Sequence, residues 1–237
     1  MGNAEKAGRQ SVVITIVFLG AIWGIFEATV GYLLHLVSFG YSWLIWYPVA
    51  CFFMTNVYRK TGRISAVFFV GLLCAAIKML NLILPGRIDK IINPAISIVF
   101  EALALATVVF AAKRLLGEKY KNPFTKALIA LSMNTGWRLF YSLYLLFLVP
   151  DWIRDVSVVS SVAKFIPFFI TQNLITTALI FIGYQFISYI LKPLDIIERR
   201  FSNWRHDTMP NQAIPILQSS LAAFLLCANI ALQFMLQ

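Results

Sequence analysis

The sequence predicts an all-α, polytopic integral membrane bundle of about seven transmembrane helices, and three observations carry that expectation. Of the 237 residues, 60% are hydrophobic and only 13% charged. The apolar residues fall in runs of about 20, enough to cross about 30 Å of hydrocarbon and too continuous for the alternating strands of a barrel. Basic residues, finally, concentrate on alternate connections between those runs, as the positive-inside rule requires.

Helix one is expected over 11–37. This run is longer than the apolar core of a signal peptide and lacks a convincing small-residue cleavage site, so it is expected to remain in the protein. The second span, 42–58, is short and contains Pro48, with Trp43, Trp46 and Tyr47 read as an interfacial belt at its start. The third follows over 64–84 and the fourth over 91–112. Ile92-Asn93-Pro94-Ala95 is expected to open the fourth, Asn93 serving as cap and Pro94 lying in the first turn, where its missing donor costs nothing. Spans five and six occupy 126–149 and 162–190, and a seventh occupies 212–236. Residues 1–191 therefore read as a six-helix core and 212–237 as an additional C-terminal helix. Between them, 192–211 carries Leu194, Ile197, Phe201 and Trp204 at helical spacing among charges, the pattern of a short helix lying in the cytoplasmic interface.

Twenty Lys and Arg residues test this arrangement. With a cytoplasmic N-terminus, the inner segments hold fourteen: Lys6, Arg9, Arg59, Lys60, Arg63, Lys113, Arg114, Lys119, Lys121, Lys126, Lys192, Arg199, Arg200 and Arg205. The outer segments hold four, Arg87, Lys90, Arg154 and Lys164, while Lys78 and Arg138 lie within spans. Seven spans in the cell membrane, N-terminus inside and C-terminus outside, follow. The net charge of +10 is spread over every inner loop, which points to topology and anionic lipid rather than nucleic acid. Cys51, Cys74 and Cys227 sit in different apolar runs without paired spacing, so neither a disulfide framework nor a metal cluster is expected.

Ionisable side chains within spans are costly and mark function. Glu27, Lys78, Glu101 and Arg138 lie deep in the predicted helices, with His35 near the end of the first. On the predicted topology Glu27, Lys78 and Asn81 fall in outer halves. Asn93, Ser97 and Glu101, four apart, form one stripe down helix four. Asn134 and Arg138 share a face of helix five with Tyr141 a turn beyond, and helix six supplies Gln172, Asn173, Thr176 and Thr177 at similar depth. The polar groups crowd the outer half and the centre, as expected of a binding site loaded from outside; a channel would carry them through. The charges nearly cancel, so internal ion pairing of the helices is the competing reading.

Helix one also carries Gly20, Gly24, Ala28 and Gly31 on one face, which permits close helix approach. Short apolar helices in a small chain, this small-residue stripe, a polar lining open to one side and no nucleotide-binding motif together resemble the substrate-binding S component of an energy-coupling factor transporter, over about 1–191. The resemblance implies capture of a small vitamin-like solute or trace metal, with a separate transmembrane coupling protein and ATPase subunits as partners. It also implies a docking role for Gly20, Gly24 and Ala28, which stand where the family carries an Ala-xxx-Ala pattern. The seventh span is additional to the family's usual six. For the solute, the residues themselves suggest Arg138 and Lys78 for an anionic group, Glu27 and Glu101 for a cationic one, and Trp23, Trp137 and Tyr141 for a ring. No cofactor, catalytic residue or metal site is expected, because no ATPase, protease or metal-hydrolase motif occurs. An intramembrane enzyme acting on a lipid or peptide and an ion-coupled secondary carrier are the alternatives.

Overall fold

Every element of the computed structural model is helical; no strand occurs among the described residues, which are 2–36, 40–83, 88–117, 122–186, 192, 196 and 213–235. Side chains are described within these segments except at 2–10, 31–36, 213–215, 233 and 234. The His35 side chain and nearly all of the 192–211 segment thus lie outside what the structure describes. The helices are α1 (Gly2–Leu36), α2 (Trp43–Thr61), α3 (Ile64–Met79, continued by a 3₁₀ turn at Leu80–Ile83), α4 (Asp89–Leu116), α5 (Pro123–Phe147), the single turn α6 (Asp151–Arg154), α7 (Val162–Phe186) and α8 (Ala213–Met235).

Local chemistry sets the boundaries. Gly62 stops α2 in the left-handed conformation (φ 65°), its N–H bonded to the Tyr58 carbonyl at 2.8 Å. Asn122 caps α5, its Oδ1 accepting from Phe124 N at 3.0 Å with Pro123 beside it at the first position. Ser161 caps α7 through Lys164 N. One boundary differs from expectation. Helix α4 begins at Asp89, so Pro94 lies past the four donors that are orphaned at any helix start, and Asn93 is not the cap. Asp89 in the first turn favours this earlier start electrostatically, and Asn93 is left to accept from the Tyr144 hydroxyl of α5 at 3.2 Å.

Four helices carry stretches long and apolar enough to cross a membrane: α1 over Ser11–Val30, α3 with its following turn over Ile64–Ile83, α4 over Asp89–Leu116 and α7 over Val162–Phe186. Helix α8 adds a shorter apolar stretch, Ile216–Leu232. Large apolar side chains such as Phe110, Leu128, Leu139, Ile170, Leu174 and Phe224 point outward, while Glu27, Glu101, Asn134 and Arg138 are buried. That inversion of the soluble pattern is compatible with a lipid surround.

Helix α3 is central, packing on α1, α2 and α4. Its contact with α4 is close enough that a Cβ on Gly71 would stand 2.4 Å from the Ala102 Cβ. Helices α4 and α5 pack in turn, with Gly136 facing Ala104, and α8 lies along α1. An apolar core built on Trp23, Tyr47, Met54, Val70, Ile98, Met133 and Trp137 joins α1 to α5, and a smaller cluster gathers Leu145, Val149 and Ile153.

Candidate functional site: buried polar groups in the bundle interior

The glycine contacts fix the relative heights of the charged residues. Gly20 faces Val70 and Leu73, so in these parallel helices Glu27, seven residues further along α1, comes level with the Lys78 turn of α3. Gly136 faces Ala104 across antiparallel helices, which brings Arg138 level with Glu101. The Tyr47 ring lies 5.4 Å from that of Trp137 and so joins the same layer from α2. The electrostatic neighbourhood agrees: Glu27 lies in the field of Lys78, and Glu101 in the fields of Glu27 and Arg138. The four charged residues that the sequence reading put within spans, on four helices, thus belong to one region.

Within it the groups divide into two kinds. The first is a closed network between α5 and α7. Asn134 Nδ2 donates towards the Asn173 carbonyl (2.8 Å), Thr176 Oγ1 (2.6 Å) and Thr177 Oγ1 (2.9 Å), and its Oδ1 accepts from Trp137 Nε1 (2.8 Å) and Arg138 Nε (3.3 Å). Asn173 Nδ2 donates to Thr135 Oγ1 at 2.8 Å. Arg138 donates through Nη1 to the Phe168 carbonyl at 2.7 Å and through Nη2 to Thr176 Oγ1 at 3.4 Å, and its guanidinium carbon lies 4.7 Å from the centres of both the Trp137 and the Phe168 rings. The Phe168 carbonyl belongs to a π-helical turn, Pro167–Thr171, in which Gln172 N bonds back five residues to Pro167. The wider turn departs from the ordinary i to i−4 ladder and offers a carbonyl to the guanidinium.

The second kind is left open. Glu27 and Glu101 are 9% and 5% exposed, yet neither carboxylate reaches an ion-pair partner or a well-formed hydrogen bond among the described residues. Lys78, half-buried, has no such partner either. Trp23 Nε1, on the turn of α1 preceding Glu27, lies near that carboxylate but misses hydrogen-bond geometry and has no acceptor. The Tyr47 hydroxyl, near Glu101 and the Cys51 thiol, is likewise without a partner. Trp23 and Tyr47 are 0% and 2% exposed. Orphaned polar atoms at that depth are uncommon and costly. Among the described residues no three His, Cys, Asp or Glu side chains stand close enough to share a metal ion.

The remaining predicted residues fall around this layer. Asn81 is buried in the 3₁₀ turn after α3. Tyr141 is half-buried against Trp137, Tyr144 and Phe168. Gln172 is half-buried and its carbonyl accepts from Thr176 Oγ1. In the small-residue stripe, Gly20 meets α3 and Gly24 meets α8, where a Cβ would stand 2.0 Å from Asn229 Nδ2; Ala28 is buried. Two residues escaped the sequence reading. Tyr47 is not part of an interfacial belt but lines the interior, because its ring packs on Trp137. Asn229, the single Asn in the apolar α8 stretch, is fully buried and donates to the Ala21 carbonyl at 3.1 Å. Its isolation in an apolar run was the available signal.

Compared with protein-family models, curated proteins and solved structures, the chain matches none.

Proposed function

We propose that the chain is a membrane-embedded solute-binding subunit, spanning the cell membrane seven times, that captures a small, charged or zwitterionic vitamin-like molecule from the outer side. Release to the other side depends on separate partners, a transmembrane coupling protein and ATPases of the energy-coupling factor kind, since the chain has no nucleotide-binding motif. The observation that carries this reading is the open group: Glu27, Lys78 and Glu101 converge from three helices and remain without direct partners among the described residues, next to Trp23 and Tyr47, which are equally unmet. The neighbouring Asn134–Arg138–Thr176 network, by contrast, has its polar atoms paired within the protein. A binding site holds its polar groups ready for a ligand, and the neighbouring closed network supplies the rigid wall.

The test is mass spectrometry of small molecules released from the full chain, purified gently from its native membrane. The reading expects one solute in near-stoichiometric amount with wild type and its loss with Glu101→Gln. Wild type that carries no solute, and takes none up from a concentrated extract of its growth medium, overturns it.

A further inference from the structure

The open group differs in chemistry from the closed one, and the difference specifies a ligand. Arg138, the obvious receptor for an anion, already donates from Nε, Nη1 and Nη2 to three protein oxygens and lies against the Trp137 and Phe168 rings. It balances Glu101 across a distance while directing these N–H groups elsewhere. The cation that remains is Lys78, against two carboxylates. Glu27 and Glu101 lack donors among the described residues. Trp23 Nε1 can only donate, and the Tyr47 hydroxyl can donate as well, so these two lack acceptors.

We infer that the site between Glu27, Glu101, Trp23 and Tyr47 takes an organic cation: a protonated amine or amidine whose N–H groups meet the carboxylates, attached to an uncharged acceptor that meets the indole and phenol. This rests on the solute-binding reading above and narrows its ligand class. A cationic head supplies the charge-assisted bonds that both carboxylates lack. The aromatic groups, with Trp23 stacked on Phe53 (5.9 Å between centroids) and Tyr47 tilted against Trp137 (5.4 Å), suit a flat, ring-bearing body and favour positive charge near ring faces. An anionic ligand would bring like charge against two buried carboxylates.

The experiment uses three probes of one shape: an aminomethylpyridine, the corresponding hydroxymethylpyridine and the corresponding pyridinecarboxylate, at millimolar concentration. Each is titrated against the purified full chain, with thermal unfolding and tryptophan fluorescence as readouts. The amine is expected to stabilise the chain with at least a tenfold tighter apparent Kd than either counterpart. Glu27→Gln and Glu101→Gln should each remove that preference, whereas Asp151→Asn, an exposed residue of α6, should retain it. Tighter binding of the carboxylate overturns the cation inference and leaves the solute-binding reading standing. A preference for the amine that survives both Gln variants also overturns it, because the cation is then held elsewhere. Equal or absent response to all three overturns it too, and joined to a solute-free wild-type preparation overturns the reading beneath it as well.

Discussion

At the scale of single residues, Arg138 and Glu101 illustrate how two charges at the same height acquire different roles. The guanidinium has planar donors that neutral oxygens can satisfy, and the fold places the Asn134, Phe168 and Thr176 oxygens around it. Removing it should therefore be a stability event. Arg138→Ala is expected to destabilise the chain by about 2 kcal/mol, from three hydrogen bonds at the modest values found within membrane bundles. Arg154→Ala, which breaks a surface ion pair with Asp151 and an exposed hydrogen bond to the Leu146 carbonyl, should cost less than about 1 kcal/mol. Unfolding in mild detergent with a chemical denaturant separates the two, and equal effects would remove the structural assignment of Arg138. Much of this was legible in the sequence: steps of three and four put Asn134 and Arg138 on one face of α5 and Asn173, Thr176 and Thr177 on one face of α7. The Phe168 carbonyl was not, because a π turn leaves no hydropathy signature. The sequence reading consequently offered Arg138 to an anionic ligand, where the structure surrounds it with protein.

At the scale of elements, the small-residue face of α1 is filled by the chain's own helices. Gly20 accommodates Leu73 of α3, and Gly24 accommodates Asn229 of α8, which holds the Ala21 carbonyl. A coupling protein that docks on Gly24 would have to move α8 first. Gly24→Ala should accordingly lower the melting temperature of the isolated chain, and Asn229→Ala made in the same chain should recover part of the loss by vacating the space. A double-mutant cycle is expected to show a coupling energy of about 1 kcal/mol, whereas additive effects would mean that the two residues do not touch. The periodicity of Gly20, Gly24 and Ala28 announced close packing but not its partner, since a stripe looks the same towards an internal helix as towards another subunit. The start of α4 was misplaced for a related reason: Asn93-Pro94 has the composition of a helix opening, but Asp89 and the Tyr144 contact favour a longer helix.

At the scale of the whole molecule, hydropathy made the helical class plain, and length and apolarity single out α1, α3, α4 and α7 as able to cross a membrane. Helices α2 and α5, read from the sequence as spans as well, are not among those four, and each buries polar groups, Tyr47 and Asn56 or Asn134 and Arg138, against its neighbours. The proposed seven-span arrangement with a cytoplasmic N-terminus is argued from the fourteen-to-four distribution of basic residues alone. In a cysteine-free background, single cysteines at 117 and 203 should react with an impermeant reagent only from the cytoplasmic side, and those at 40, 88 and 237 only from outside. Cytoplasmic labelling at 237 would remove the last span.

The central claim is that Glu27 and Glu101 are held for a ligand and not for each other's helices. Thermal unfolding of solute-free Glu101→Gln tests it most directly, because an amide keeps the shape while removing a buried charge that has no direct partner. The account predicts a melting temperature equal to or above that of solute-free wild type. A fall corresponding to the roughly 3–5 kcal/mol lost on breaking a buried ion pair would show that the carboxylate is structural, and would contradict the account.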